Sequence, residues 1–244
     1  MARKKTSTEE IITIKPIEVI STKIHIVGKT PLISHAWSAK AKRQILEKEL
    51  GKAGVKKKEA KNPIEDFVSS MYWLTPMPDE FTEEAVGEAL VNAKFGFPVT
   101  AFKQAAISAA YRLGWVPNMT SLRGSFFIRP DVEEYYGGDL EIDWDTKAIT
   151  IKHNERRKEQ LVTINSDIPE MREDMVRVGM GASDIRYRGE FSNWSVDLVI
   201  DVNVNGQYSL DNIINIINAG GYVCGVGEWR PEKDGQYGMF QVEG

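Results

Sequence analysis

Residues 209–221 read SLDNIINIINAGG, and this helix pattern with its two neighbouring segments decides the fold. Ser209 is a typical helix N-cap residue. The apolar side of the helix consists of isoleucines: Ile213, Ile214, Ile216 and Ile217. Before it, WSVDLVIDVNVN (194–205) alternates apolar and polar residues as a strand does, and GMFQVE (238–243) is typical of a closing strand. This part of the chain therefore predicts strand, helix, loop and strand.

A second set of elements stands earlier in the chain. IEVISTKIHIVGKTPLI (17–33) alternates as a strand, and GFPVTAFKQAAISAAYRLG (96–114) has helix-start residues at Pro98 and Thr100 followed by a small apolar stripe. GSFFIRP (124–130) predicts the next strand. The two sets give the order β-α-β-β-α-β, so we expect an α+β fold with a ferredoxin-like, split βαβ (RRM-like) core.

The remaining segments are expected to decorate a single domain over residues 1–244. Residues 36–94 are rich in Lys, Glu and Ala and predict a charged helical insertion with a short amphipathic helix around Ile64–Trp73. LEIDWDTKAITI (140–151) predicts two strands joined by a turn, and residues 151–190 predict an extended β-hairpin or thumb-like lobe.

Composition excludes several classes of protein. The 244 residues carry a net charge of −4, have no apolar run long enough to span a membrane and begin without a signal-peptide core, so we expect a cytoplasmic protein. Cys224 is the only cysteine, and the three histidines show no zinc-ligand spacing. No metal and no cofactor are expected.

The charge is unevenly distributed along the chain. Residues 1–61 contain fifteen Lys and Arg against six Glu, a sum of +9, whereas the rest contains sixteen against twenty-nine, a sum of −13. Such a basic N-terminal region could meet an anion, although a solvated helix face also explains a run of charge.

A glycine-rich loop, GVGEWRPEKDGQYG, occupies residues 225–238 between the last predicted helix and strand. Glycine permits positive φ and close backbone approach, so four glycines in this loop predict either a demanding turn or a surface pressed against a ligand. The four are Gly225, Gly227, Gly235 and Gly238.

This loop resembles the glycine-rich loop of the RAMP superfamily of CRISPR RNA-binding proteins. FPVTAFKQAAISAAYR (97–112) is similar to a helix pattern of that superfamily's backbone subunits, which polymerise along guide RNA, and IHIVGKTPLISH (24–35) resembles their first strand. Similar proteins are encoded by tailed phages, in which case the protein would act in the bacterial host cytoplasm. The resemblance covers about half of the chain and implies an RNA-binding, oligomeric protein.

The resemblance assigns nucleic-acid contacts to particular residues. Lys103 matches the helix lysine that faces the RNA backbone, Thr100 and Arg112 belong to the same pattern, and the four loop glycines with Arg230 match the glycine-rich loop. Independently of the family, backbone N–H groups at a helix start and one lysine can form an anion site. We expect the loop to lie beside the helix start as one wall of an anion-binding groove, so that Gly227 or Gly238 substitutions damage binding more than folding.

Further contacts are expected outside this groove. From the predicted hairpin, Arg177, Arg186 and Arg188 could reach phosphates, with Met175 or Met180 as an apolar wedge; ordinary surface ion pairs are the alternative. Three tryptophans could stack on bases if they are exposed, although burial is the commoner fate of this residue: Trp37, Trp115 and Trp229. Trp229 is expected to be the most exposed of them.

Three functions follow from these patterns. The first is a non-catalytic protein that binds single-stranded nucleic acid, with RNA favoured over DNA, and assembles side by side along it. The second is a metal-independent endoribonuclease in which His35, just after the first strand, is the general base. The third is a phage assembly or anti-defence protein that uses the fold for protein contacts.

Overall fold

A computed structural model describes residues 17–51, 61–178 and 181–243. Within them, helices combine with antiparallel sheets, which confirms the predicted α+β class. The helices are α1 (Ala39–Glu49), α2 (Pro63–Ser69), α3 (Glu83–Val91), α4 (Val99–Arg112), α5 (Thr120–Arg123) and α6 (Leu210–Val223). The strands are β1 (Val19–Gly28), β2 (Leu32–Ile33), β3 (Tyr72–Trp73), β4 (Phe95–Pro98), β5 (Phe126–Arg129), β6 (Val132–Ile142), β7 (Ile149–Ile164), β8 (Glu170–Val178), β9 (Ala182–Phe191), β10 (Ser195–Asn203) and β11 (Phe240–Glu243). None of the helices in these residues has the length and apolar character that crossing a bilayer requires.

The largest open sheet has the strand order β11-β1-β10-β5, and every neighbouring pair is antiparallel. Residues of β10 alternate between buried and half-buried along its whole length, as expected for a strand with one face on the core. Helices α4 and α6 pack on that face. They approach closely because Gly220 of α6 has no side chain to collide with the backbone of Ala105 and Ala106.

Local sequence explains both helices. Ser209 and Asn212 form a capping box at the start of α6, in which each side chain accepts from the other's backbone N–H. In α4 the predicted stripe of Phe102 and alanines is buried. The Phe102 ring contacts Phe240 of β11 and Trp194, which stands immediately before β10, so the core joins these elements to α4.

Strands β3, β4, β7 and β6 pair in a closed ring beside the open sheet. Most of this ring is the long β6–β7 hairpin, whose strands were predicted from residues 140–151 and whose turn lies between Ile142 and Ile149. The ring places Tyr72 and Phe97 next to the start of α4.

The predicted insertion, residues 36–94, contains α1, α2, β3 and α3, with residues 52–60 outside the described part of the chain. The helix expected around Ile64–Trp73 ends earlier, at Ser69, and Tyr72–Trp73 form β3 instead. Trp73 is fully buried against Phe95 of β4, so pairing with another strand overrides the local helix pattern.

The predicted hairpin lobe, residues 151–190, is divided between two sheets. Residues 151–164 belong to β7, and only β8 and β9 form a hairpin of their own, which joins β2 in the order β2-β9-β8. The β8–β9 hairpin therefore includes fewer residues, 170–191, than the predicted lobe of residues 151–190. Met180 lies outside the described residues.

Candidate nucleic-acid interface

The glycine-rich loop, residues 225–238, folds back on itself between α6 and β11. Val226 N donates to Gly238 O at 2.9 Å, and Tyr237 N donates to Trp229 O at 3.0 Å, so the two ends of the loop lie side by side. Gly238 has φ of 63°, in the left-handed region, and a side chain there would collide with the Val226 carbonyl oxygen. A glycine is required at this position for the loop to close.

Backbone hydrogen bonds also fasten the loop to the segment after β1. Glu228 N donates to Ile33 O at 3.0 Å, and a Cβ on Gly227 would lie 2.5 Å from that same oxygen. Gly238 N donates to Pro31 O at 2.8 Å. These contacts are internal to the protein. Both glycines are therefore needed for packing, and the expectation that Gly227 and Gly238 substitutions damage binding more than folding stays a prediction.

The loop lies beside the first half of α4, as the sequence predicts, and an open cavity of about 200 Å³ separates them. Pro98, Ala101 and Gln104 line the cavity from the α4 side, and Gly225 and Gly227 line it from the loop. Pro98 is the N-cap of α4 and has no side-chain acceptor for the first-turn N–H groups. We name this space the loop–α4 cavity.

His35 lies at the loop–α4 cavity and contacts the loop directly. Its Nδ1 is 2.8 Å from Oε1 of Glu228, and both side chains are partly exposed. The hydrogen bond with His35 holds the pKa of Glu228 below its ordinary value. Tyr72 lines the same cavity, and burial raises the pKa of its hydroxyl, which therefore stays a hydrogen-bond donor at neutral pH.

Two arginines, Arg230 and Arg112, share the carboxylate of Glu232, which lines the cavity. Arg230 Nη2 lies 2.9 Å from Glu232 Oε2, and Arg112 Nη2 lies 3.4 Å from Glu232 Oε1. Arg230 also donates to the Gly227 carbonyl at 2.9 Å, which fixes its position in the loop. Because two guanidiniums meet one carboxylate, this group keeps one net positive charge, and the Arg112 side chain is 51% exposed.

Lys103 is turned away from the loop–α4 cavity. Its Nζ lies 4.0 Å from the ring centroid of Phe127 on β5, a cation–π contact, and burial lowers the pKa of the ammonium. Thr100 is exposed on the first turn of α4. The structure therefore places Thr100 at the start of α4, between the cavity-lining residues Pro98 and Ala101. It puts Lys103 on the side of the helix that faces β5.

The three hairpin arginines have different environments. Arg177 is exposed on β8, and Arg186 Nε lies 2.9 Å from Asp184 at a partly exposed site. Arg188 is only 6% exposed, and its Nη1 lies 3.2 Å from Oδ2 of the buried Asp174. Its predicted phosphate contact is therefore corrected, since β9 turns Arg188 inward. Met175, the predicted wedge, is 77% exposed.

The tryptophans are exposed in a different order from the one expected. Trp37 is 61% and Trp115 is 54% exposed, whereas Trp229, expected to be the most exposed, is 36% exposed. Trp229 has φ of 52° within the folded loop, and its carbonyl accepts from Tyr237 N, which restricts it. None of the three contacts the loop–α4 cavity among the residues that line it.

The uncovered face of the open sheet carries the exposed Phe127 ring, and the charged side chains that β1, β5 and β10 place on this face are paired. Lys23 Nζ and His25 Nδ1 lie 2.9 and 2.8 Å from the two oxygens of Asp197. On the same face Arg129 Nε lies 2.6 Å from Asp201. Cross-strand neighbours neutralise one another here, so this face offers less unpaired positive charge than the end of α4.

Several residues of the site were not identified from sequence. Glu228, Tyr72 and Gln104 come from three separate elements and meet only at the cavity. Arg172 of β8 stacks over the Tyr237 ring at 4.4 Å and thereby joins the β8–β9 hairpin to the loop. Phe127 was also not identified, although the sequence carries a signal for it. In GSFFIRP it stands two positions before Arg129, and an alternating strand places both side chains on one face.

The described residues contain no group of three or more His, Cys, Asp or Glu side chains placed to hold a metal ion.

No family model and no curated protein sequence matches the chain. Among solved structures it is similar to the crystal structure of Cmr6 from Pyrococcus furiosus, with a TM-score of 0.30 and 11% sequence identity, over 93% of this chain and 100% of that chain. At this TM-score the match does not establish a common fold, and the RAMP resemblance stays a prediction.

Proposed function

We propose that the protein binds single-stranded nucleic acid, with RNA favoured, and does not cleave it. The observation that carries this proposal is the juxtaposition of the glycine-rich loop and the start of α4, which share the open loop–α4 cavity. Phosphates contact the uncapped N–H groups at the start of α4, near Thr100, and Arg112 beyond the cavity. RNA is favoured because residues 97–112 and 225–238 resemble those of an RNA-binding family.

A ferredoxin-like core is part of the proposal. The strand order β11-β1-β10-β5, with α4 before β5 and α6 before β11, fits the predicted order β-α-β-β-α-β. In this arrangement the long insertion lies in the connection between β1 and α4, and the β8–β9 hairpin lies in the connection between β5 and β10. Both extend the surface available to a nucleic-acid strand beyond the core.

An acidic protein that binds a polyanion must concentrate its positive charge. Arg112, Arg230 and Glu232 keep one net positive charge beside the cavity. Lys103 faces the Phe127 ring rather than a carboxylate, and we include this pair as a second contact at the edge of β5. The basic region of residues 1–61 adds to this charge, although residues 1–16 and 52–60 lie outside the described part.

Fluorescence anisotropy with a labelled single-stranded RNA tests the binding across a series of salt concentrations. The logarithm of affinity should fall linearly with the logarithm of salt, by about 0.7 for each phosphate neutralised. Arg112→Gln should lower both the affinity and this slope. Lys152→Gln, an exposed lysine paired with Glu141 near the tip of the β6–β7 hairpin, is the matched control and should change neither. Absence of binding at low salt contradicts the proposal.

We also propose that copies of the protein assemble side by side along the strand. The exposed apolar side chains Met171, Met175 and Ile185 on the β8–β9 hairpin offer a contact surface for such an assembly. Sedimentation velocity and electron microscopy with and without RNA test it. Particles that lengthen only with RNA support assembly along the strand, whereas protein that purifies without nucleic acid and still assembles favours the phage assembly or anti-defence function.

An endoribonuclease is the second candidate, because His35 and Glu228 form a histidine–carboxylate pair in the cavity. If Nδ1 donates to Glu228, the lone pair of Nε2 can take the proton of a ribose 2′-hydroxyl. Labelled RNA incubated with protein and a chelator distinguishes the two functions. Cleavage that His35→Ala abolishes favours the enzyme, and intact RNA under conditions of full binding eliminates it.

A further inference from the structure

The loop–α4 cavity has the size and lining of a site for one ring system. Its volume of about 200 Å³ is below the roughly 300–1,000 Å³ of sites for drug-sized ligands. Tyr72 and Phe97 contribute aromatic wall, and their rings meet edge to face with centroids 6.5 Å apart. A planar heterocycle is the kind of ligand that aromatic walls accept.

Charge argues against a phosphate inside this cavity. Glu228 and Glu232 both line it, whereas Arg230 is the only arginine among the described residues that line it and is already paired with Glu232 at 2.9 Å. A phosphate would have to displace that carboxylate and lie beside the other one. A neutral ligand that donates hydrogen bonds avoids this cost, since each carboxylate keeps acceptor capacity beyond its present partner.

We propose that the loop–α4 cavity takes one nucleobase turned out of the bound strand, and that it prefers a base with an exocyclic amino group. Such an amine donates to the Glu228 or Glu232 carboxylate, as carboxylates accept from the N4 amine of cytosine. Uracil has no exocyclic amine, and its single N3–H donor stands between two carbonyl oxygens that would face the carboxylates. This inference rests on the proposed binding of single strands and adds its base preference.

The position of the cavity fits this arrangement of the strand. The exposed Thr100 on the first turn of α4 and Arg112 are not among the residues that line the cavity, so phosphates remain on the surface while one base points inward. Gln104 is exposed on α4 at the mouth of the cavity, where its amide can meet the edge of the base. Single-stranded RNA is commonly recognised through splayed bases of this kind.

Anisotropy with labelled oligocytidine and oligouridine of equal length tests the inference. The cytidine strand should bind more tightly, by at least about five-fold, the lower end of the range for one base contact. Ala101→Trp, which fills the cavity, should abolish the difference between the strands. Asn215→Trp, on the exposed side of α6, is the matched control and should preserve it. Thermal melting checks that both variants fold.

Each outcome decides the matter. Equal affinity for the two strands, or a preference that survives in Ala101→Trp, overturns the base site while leaving single-strand binding intact. A strand of abasic residues with the same phosphates should bind the wild type more weakly and lose less affinity for Ala101→Trp, which supports the base site, whereas unchanged binding of that strand to the wild type overturns it. If neither oligonucleotide binds at low salt, the base site and the proposed function both fail.

Discussion

The imidazole of His35 and the carboxylate of Glu228 are 193 positions apart in the chain, and their nearest nitrogen and oxygen atoms are 2.8 Å apart. A backbone hydrogen bond from Glu228 N to Ile33 O lies beside this contact. The end of β2 and the residues just after it are thus fastened to the glycine-rich loop twice. This double attachment fixes one wall of the loop–α4 cavity.

Replacing Glu228 with Gln should lower stability at neutral pH, and the difference from wild type should disappear in acid. Because the hydrogen bond with His35 lowers the pKa of Glu228 in the folded state, its stabilising contribution is present above the unfolded value of 4.5 and is lost as pH falls through the folded value. Melting temperatures measured from about pH 3 to about pH 8 check this window. Glu88→Gln on the exposed side of α3 is the control, and parallel profiles for Glu228→Gln and wild type would contradict the prediction.

Gly238→Ala should destabilise the protein by about 1–3 kcal/mol, because the new side chain takes a left-handed φ and meets the Val226 carbonyl. Gly87→Ala is the matched control: a Cβ there meets nothing within 4 Å inside α3, and alanine should stabilise the helix by about 0.5–1 kcal/mol. Urea denaturation measures both. A Gly238→Ala variant with wild-type stability and weakened RNA binding would support the expectation that the glycine serves binding.

Asp174→Asn should cost about 3–5 kcal/mol, since it removes the carboxylate that the buried Arg188 shares with Arg172. Combining Asp174→Leu with Arg188→Met should recover part of that loss by replacing both buried groups with apolar side chains, while Arg172 keeps its contact with Glu190. Glu141→Gln, which breaks the exposed pair with Lys152, should cost less than about 1 kcal/mol. Equal losses in free energy of unfolding for Asp174→Asn and Glu141→Gln would show that Arg188 is not buried as described.

Phe127→Ala should weaken binding of single-stranded RNA by about 1–3 kcal/mol if a base stacks on the exposed ring. Lys103→Met should weaken it as well, and the double variant should show coupling because Lys103 Nζ lies 4.0 Å from that ring. Tyr222→Ala, at an exposed aromatic residue on α6, is the control. Unchanged affinity in Phe127→Ala would mean that the strand does not cross the edge of β5.

The outcome for Arg188 and Arg177 illustrates the limit of prediction from sequence. Both belong to the same basic stretch, yet Arg177 is exposed on β8 and Arg188 is buried against Asp174. The sequence shows alternation along a strand but not which face the neighbouring sheet covers. Trp73 is a similar case, because pairing of β3 with β4 replaced the end of a predicted helix.

The sequence by itself determined the α+β class and the positions of β1, α4, β5, β10, α6 and β11, because side-chain periodicity and helix caps act over a few neighbouring residues. It also located the glycine-rich loop beside α4. Only the tertiary structure decided that His35 meets Glu228, that Lys103 faces Phe127, and that Arg112 and Arg230 share Glu232. Those contacts join residues far apart in the chain, and their distances depend on how helices and strands pack.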